Sequence, residues 1–101
     1  MVIAVILGTR PEIIKMSPII HSCISENTDF FILHSGQHYS YNMDQVFFQQ
    51  LRLPSAKYNL DVGSSSHGKQ TAQILMGVEK ILQMEQPDIV LVEGARAVYA
   101  P

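Results

Sequence analysis

Val2-Ile3-Ala4-Val5-Ile6-Leu7, followed by Gly8-Thr9-Arg10-Pro11-Glu12, is the stretch on which the reading of this chain turns. An unbroken apolar, largely β-branched run suits a strand covered on both faces, as in a parallel sheet. Gly8 then permits a tight turn and close approach of backbone to a ligand. Thr9 can cap a helix, and Glu12, three positions on, completes a capping box. Pro11 suits a first helical turn, where no N–H is missed. Strand, glycine, helix start is the layout of a phosphate-binding βα turn. Arg10 and Lys15 add two cations beside a helix N-terminus, where they oppose the helix dipole. That arrangement makes sense with an anion between them; the alternative is that both are solvated helix-start residues.

The next residues carry a helical stripe of Ile13, Met16, Ile20 and Ile24, with Ile14 and Cys23 beside it. Pro18 interrupts the stripe and predicts a kink. Phe30-Phe31-Ile32-Leu33 reads as a second buried strand ending in polar His34-Ser35-Gly36-Gln37-His38. Asn42 offers a cap for a second helix with the stripe Met43, Val46, Phe47 and Leu51, stopped by Leu53-Pro54. Residues 55–68 read as a loop. From about His67 to Gln86, the residues Thr71, Leu75, Val78 and Leu82, with Ile74 and Ile81, predict a long helix. Pro87-Asp88 ends it, with Asp88 as a turn residue, and Ile89-Val90-Leu91-Val92 is a third buried strand. The order β-α-β-α-α-β, with three strands and three helices, predicts an α/β layer architecture with a parallel sheet and right-handed connections.

At 101 residues the chain is one small domain at most, and a complete doubly wound domain usually needs more. Hydrophobic residues make up 47% and charged residues 16%, a globular composition. Seven basic and nine acidic side chains leave a net charge of −2 with no basic cluster, which argues against nucleic acid and against an anionic membrane surface as partners. The apolar run from Val2 is too short for a membrane span and lacks a basic flank, so a cytoplasmic protein is expected. Cys23 is the sole cysteine; it cannot form an intrachain disulfide and reads as a small buried hydrophobe. Three strands apolar on both faces are few for a sheet. The expectation is therefore an incomplete domain with an exposed strand edge, inclined to form a homo-oligomer.

Ligands of parallel sheets gather at the carboxyl ends of the strands. Three polar segments reach that edge: Gly8–Glu12, His34–His38 and Glu93–Ala97. The chain lacks a GxGxxG fingerprint, which disfavours NAD. His38 could move a proton or donate to a phosphate, or be a loop histidine with a local hydrogen bond. His34 and His38 lie on a strand end and a loop, with His21 and His67 elsewhere and no cysteine partner, so no metal site is expected. Glu93 is a lone carboxylate at the third strand's end and makes no acid–base pair.

Gly8-Thr9-Arg10-Pro11-Glu12-Ile13-Ile14-Lys15-Met16-Ser17-Pro18 closely resembles the opening motif of the non-hydrolysing UDP-N-acetylglucosamine 2-epimerases. Gln37-His38 with Met43-Asp44-Gln45-Val46 resembles that family's second signature, and Pro87 to Val92 followed by Gly94 its third. The resemblance implies the N-terminal portion of a GT-B type fold, in which two Rossmann-like domains hold the substrate in the cleft between them. It implies interconversion of UDP-N-acetylglucosamine and UDP-N-acetylmannosamine, by elimination of UDP to a glycal and its return to the other face, with no cofactor. Carried over by position, Arg10 and Lys15 would bind the nucleotide sugar. Gln37 and His38 would belong to a loop associated with a second, regulatory UDP-N-acetylglucosamine. After Gly94, where the family has aspartate and threonine, this chain has Ala95 and Arg96. It is expected to diverge from the family after residue 94, to be an incomplete N-terminal domain over residues 1–101, and to be inactive alone. The alternatives are a self-associating α/β half-domain without enzymatic activity and a half-site that needs a partner chain.

Overall fold

The first apolar run forms β1 (Val2–Leu7), and the capped segment after it forms α1 (Arg10–Ser25). There follow β2 (Asp29–His34), α2 (Tyr41–Gln50), β3 (Tyr58–Asn59), α3 (His67–Glu85) and β4 (Ile89–Val92). The computed structural model describes residues 1–35, 41–60 and 66–92, without the side chains of residues 41–44 and 67.

All pairings are parallel and the strand order is β3-β2-β1-β4. β1 is therefore a central strand. Its alternate residues feed two separate cores, which explains why no polar residue interrupts it. Ala4 and Ile6, with Phe31 and Leu33 of β2, pack under Ile74, Val78 and Ile81 of α3. Val5 and Leu7, with Ile32, pack under Ile13, Met16 and Ile20 of α1 and Phe48 of α2. Helices thus cover both faces of one sheet. Each fully buried aliphatic side chain contributes about 1.5–3 kcal/mol of transfer free energy.

The path of the chain reverses at β1. From β1 through β2 to β3 it steps in one direction, with α1 and α2 on one face; α3 then carries it back past β1 to β4 across the other face. Right-handed crossovers in opposite directions require helices on opposite faces. The reversal makes the gap between β1 and β4 a topological switch point, where ligands of open α/β sheets bind.

The structure departs from the sequence expectations in several places. A fourth strand, Tyr58–Asn59, lies within the stretch read as a loop. It is too short to show a period, and it exists because the Lys57 N–H donates to the Ile32 carbonyl and the Leu60 N–H to the His34 carbonyl, each at 2.9 Å. α2 begins at Tyr41, so Asn42 lies inside it and not at the cap. Its buried side is set by Phe48, whereas Val46 is exposed. α3 turns Ile74, Val78 and Ile81 inward and leaves Leu75 exposed; on α1 Ile24 is exposed and Cys23 is buried, as expected of a small hydrophobe. α1 runs through Pro18 as one helix.

Among the described residues, no helix ends on a glycine. Asn27, Arg52 and Gln86 adopt positive φ of 54°, 58° and 47°. After α1 and α2 the turn is closed by paired bonds: Thr28 N–H to the Cys23 carbonyl with Asn27 N–H to Ile24, and Leu53 N–H to Phe48 with Arg52 N–H to Gln49. This is the Schellman arrangement, and Leu53 against Phe48 supplies its usual apolar contact.

Candidate functional site

The capping box forms as the sequence implies. Thr9 is extended at φ −124°, ψ 160°, and its Oγ1 accepts from the Glu12 N–H at 3.4 Å. Glu12 Oε1 accepts in return from the Thr9 N–H at 3.0 Å and from the Gly8 N–H at 2.8 Å. An anion does sit at this helix start, and it is the chain's own carboxylate. Glu12 satisfies orphan donors and complements the dipole that Arg10 and Lys15 oppose. Recognition of a further anion at this turn therefore falls to side chains more than to the N–H groups of Gly8 and Thr9.

Arg10, the first residue of α1, is half-buried, and its guanidinium carbon lies 6.0 Å from the centroid of the Phe47 ring on α2. Lys15 is exposed in the second turn of α1. Five helical positions set the two cations about 140° apart around the axis, so a ligand meeting both must lie across the N-terminal end of α1. That end follows directly from β1, at the switch point.

The end of β2 forms the neighbouring wall. His34 is fully buried, with its ring 6.1 Å from that of Phe48 and tilted by 57°. Ser35 is also buried, and its N–H extends the sheet ladder to the Leu7 carbonyl at 2.9 Å. Gln37 and His38 lie outside the described residues, as do Glu93, Gly94, Ala95 and Arg96. His21, on α1, lies away from this edge; its Nε2 is 3.0 Å from the Leu51 carbonyl oxygen just beyond α2, a structural tie. Among the described residues, no group of three or more His, Cys, Asp and Glu could hold a metal ion, and no helix is long and apolar enough to cross a membrane.

Two features of this edge escaped the sequence reading. The apolar stripe of α2 contains Phe47 but gives no sign that its ring lies beside Arg10. Gln70, in the first turn of α3, is buried; its signal was a polar residue at the head of the inward series Ile74, Val78.

At the edge strand β3, Lys57 and Tyr58 form a separate cluster with Glu85. Lys57 Nζ lies 2.6 Å from Glu85 Oε2, and the Tyr58 hydroxyl donates to the same oxygen. The shared bonds hold the Glu85 carboxyl below its ordinary range. They raise the Lys57 ammonium and the Tyr58 phenol above theirs. Lys57 also lies 5.5 Å from the Tyr58 ring and 5.9 Å from that of Phe31. The cluster ties β3 to the end of α3.

A sequence model described as UDP-N-acetylglucosamine 2-epimerase matches residues 22–99. The UDP-N-acetylglucosamine 2-epimerase of Methanocaldococcus jannaschii is 54% identical over 94 residues, covering 93% of this chain and 26% of the relative. The enzyme of that name from Methanococcus maripaludis is 55% identical over 92 residues, covering 91% and 25%. The UDP-2,3-diacetamido-2,3-dideoxy-D-glucuronate 2-epimerase of Pseudomonas aeruginosa is 40% identical over 95 residues, covering 93% and 27%. The crystal structure of the M. jannaschii enzyme in complex with UDP-GlcNAc and UDP superposes with a TM-score of 0.87 over 93% of this chain and 26% of that one. The chain thus spans about a quarter of the length of the curated relatives it matches. A match over most of the sequence, on the same parallel sheet, means that this chain belongs to the UDP-N-acetylglucosamine 2-epimerase family.

Proposed function

We propose that this chain carries part of a nucleotide-sugar site, with Arg10 and Lys15 contacting the diphosphate of UDP-N-acetylglucosamine. The observation that carries the reading is the position of Arg10, half-buried at the first turn of α1, directly after the central strand and beside the switch point. The relative solved with UDP-GlcNAc and UDP supports this ligand class. A leaving diphosphate needs fixed positive charge, and a guanidinium grips phosphate oxygens in bidentate fashion. Gln37 and His38 are assigned to a second, regulatory UDP-N-acetylglucosamine on the resemblance of their motif. The reaction of the larger enzyme is elimination of UDP and its return to the other face of the sugar. The isolated chain is assigned no turnover, because Ala95 and Arg96 stand where the family's motif has aspartate and threonine. It acts in the cytoplasm.

Calorimetric titration with UDP-N-acetylglucosamine tests the reading. Binding that weakens on Arg10→Ala supports it; no heat at millimolar ligand, or heat unchanged by Arg10→Ala, sinks it. Conversion to the mannosamine epimer by the isolated chain would overturn the assignment of inactivity.

A second reading, a self-associating half-domain, is favoured by β4. It is the last strand on its side among the described residues, and Ile89, Val90 and Val92 are 39–41% exposed. Parallel register places Val90 and Val92 on the face of Ala4 and Ile6, beyond the cover of α3. Sedimentation equilibrium separates the cases: a dimer weakened by Val90→Lys supports association through this edge, and a monomer at all concentrations removes it.

A further inference from the structure

We propose that Phe47 is a positioning residue for the nucleotide-sugar site. Its ring holds the Arg10 guanidinium in the place from which it meets a nucleoside diphosphate. This rests on the reading of Arg10 as a phosphate-binding group. Arg10 begins α1 and Phe47 lies in the last turns of α2, yet the guanidinium carbon comes to 6.0 Å from the ring centroid. The platform is well anchored. The adjacent Phe48 is 4% exposed and packs in the core under α1 and α2, beside the buried ring of His34 at the end of β2. The Leu53 N–H closes the end of the same helix onto the Phe48 carbonyl at 2.9 Å. Phe47, one residue before Phe48, is only half-buried, which sets its ring at the boundary between core and site.

The chemistry allows one guanidinium to serve both contacts. Aromatic rings meet the guanidinium through its face, while phosphates take its in-plane N–H edges. A side chain already ordered on a ring loses less freedom when the ligand arrives. The ring also discriminates between variants: a tyrosine preserves the face, whereas a leucine preserves apolar bulk and removes the π-system.

The test is calorimetric titration of UDP into the 101-residue chain and four variants: Arg10→Ala, Phe47→Leu, Phe47→Tyr, and the Arg10→Ala/Phe47→Leu double. Thermal melts by circular dichroism confirm that each is folded. Phe47→Leu is expected to bind UDP about two- to five-fold more weakly, the fold-change equivalent of about 0.5–1 kcal/mol for an exposed cation–π contact. Phe47→Tyr is expected to match the parent, and Phe47→Leu to cause no further loss once Arg10 is alanine. Three results would overturn the proposal: Phe47→Leu binding as tightly as the parent while Arg10→Ala loses affinity, equal losses in Phe47→Leu and Phe47→Tyr, or the same loss with and without Arg10. An Arg10→Ala variant that binds UDP like the parent would instead remove the diphosphate reading on which the proposal stands.

Discussion

The Glu12 carboxylate accepts the Gly8 N–H at 2.8 Å, so the turn leaving the central strand is held by an anion from the helix that it begins. The same oxygen takes the Thr9 N–H at 3.0 Å. Glu12→Ala leaves both donors without this acceptor and removes the negative charge from the helix start. A loss of about 1–2 kcal/mol is expected, read as a lower urea midpoint at unchanged slope. Glu12→Gln retains an acceptor oxygen and should lose less than Glu12→Ala. Equal midpoints for Glu12→Ala and the parent would show that the box contributes nothing to stability.

Asp88 binds the start of β1 twice. Its Oδ2 accepts the Val2 N–H at 2.8 Å, and its own N–H donates to the Val2 carbonyl at 2.8 Å. The first contact is solvent-exposed, so Asp88→Ala should cost only about 0.5–1 kcal/mol. A sharper signature is faster hydrogen exchange at the Val2 amide, with the amides of Ile32 and Leu33 unchanged. Unaltered exchange at Val2 would mean that the side chain does not hold the strand.

The Lys57–Tyr58–Glu85 cluster makes stability depend on pH at both extremes. The Glu85 carboxyl is held below its ordinary 4.5 by its bonds to Lys57 and Tyr58, so its contribution is present above 4.5 and lost as pH falls through the lowered value. The Lys57 ammonium and Tyr58 phenol are held above their ordinary 10.5 and 10.0 by Glu85, so theirs is present below those values and lost as pH rises through the raised ones. The melting-temperature difference between the parent and Glu85→Gln should therefore be flat from about pH 5 to 9 and close at both ends. It should also shrink in high salt, since Lys57 is largely exposed. A difference that did not vary with pH would assign the effect of Glu85 to packing.

Arg52 follows α2 at φ 58°, a conformation that costs an L-residue about 1–2 kcal/mol and glycine almost nothing. Glycine also adds freedom to the unfolded chain. The net expectation for Arg52→Gly is a gain of about 1 kcal/mol in chemical denaturation, and a loss would show that the Arg52 side chain makes a compensating contact.

Gly77 tests the opposite balance. It lies within α3, where alanine would gain about 1 kcal/mol of helix propensity. A Cβ there would come within 2.7 and 2.9 Å of the Leu60 methyl carbons. Leu60 is tied through its N–H to the His34 carbonyl, so only its side chain can yield. Overpacking of this kind costs about 1–3 kcal/mol. Gly77→Ala should therefore destabilise by up to about 2 kcal/mol, and combining it with Leu60→Ala should relieve the overpacking part of that loss.

Local patterns were readable where one segment settles its own environment. The apolar runs of β1, β2 and β4 appear as parallel strands, although β4, expected to be buried, is exposed at Ile89, Val90 and Val92; Thr9 and Glu12 form their box, and α3 begins at His67. Patterns failed where two segments share the decision. Tyr58–Asn59 is a strand only because β2 offers an open edge beside it. Phe48, and not Val46, faces the core because the groove between α1 and the sheet selects the side of α2 that fills it. The ends of the helices were legible from Pro54 and Pro87, but the left-handed turns at Arg52 and Gln86 were not, because such residues other than glycine leave no mark in composition.

The candidate site divides in the same way. Residue types and spacing alone marked Arg10 and Lys15 as cations at a strand-to-helix turn, since chirality and the capping box act within a few residues. The long-range fold supplied the rest: the reversal of chain direction at β1, the occupation of the turn by Glu12, and the ring of Phe47 beneath Arg10. A contact between residues 10 and 47 depends on where two helices dock on one sheet face, and that docking follows from burial summed over many side chains, which no short window of sequence contains.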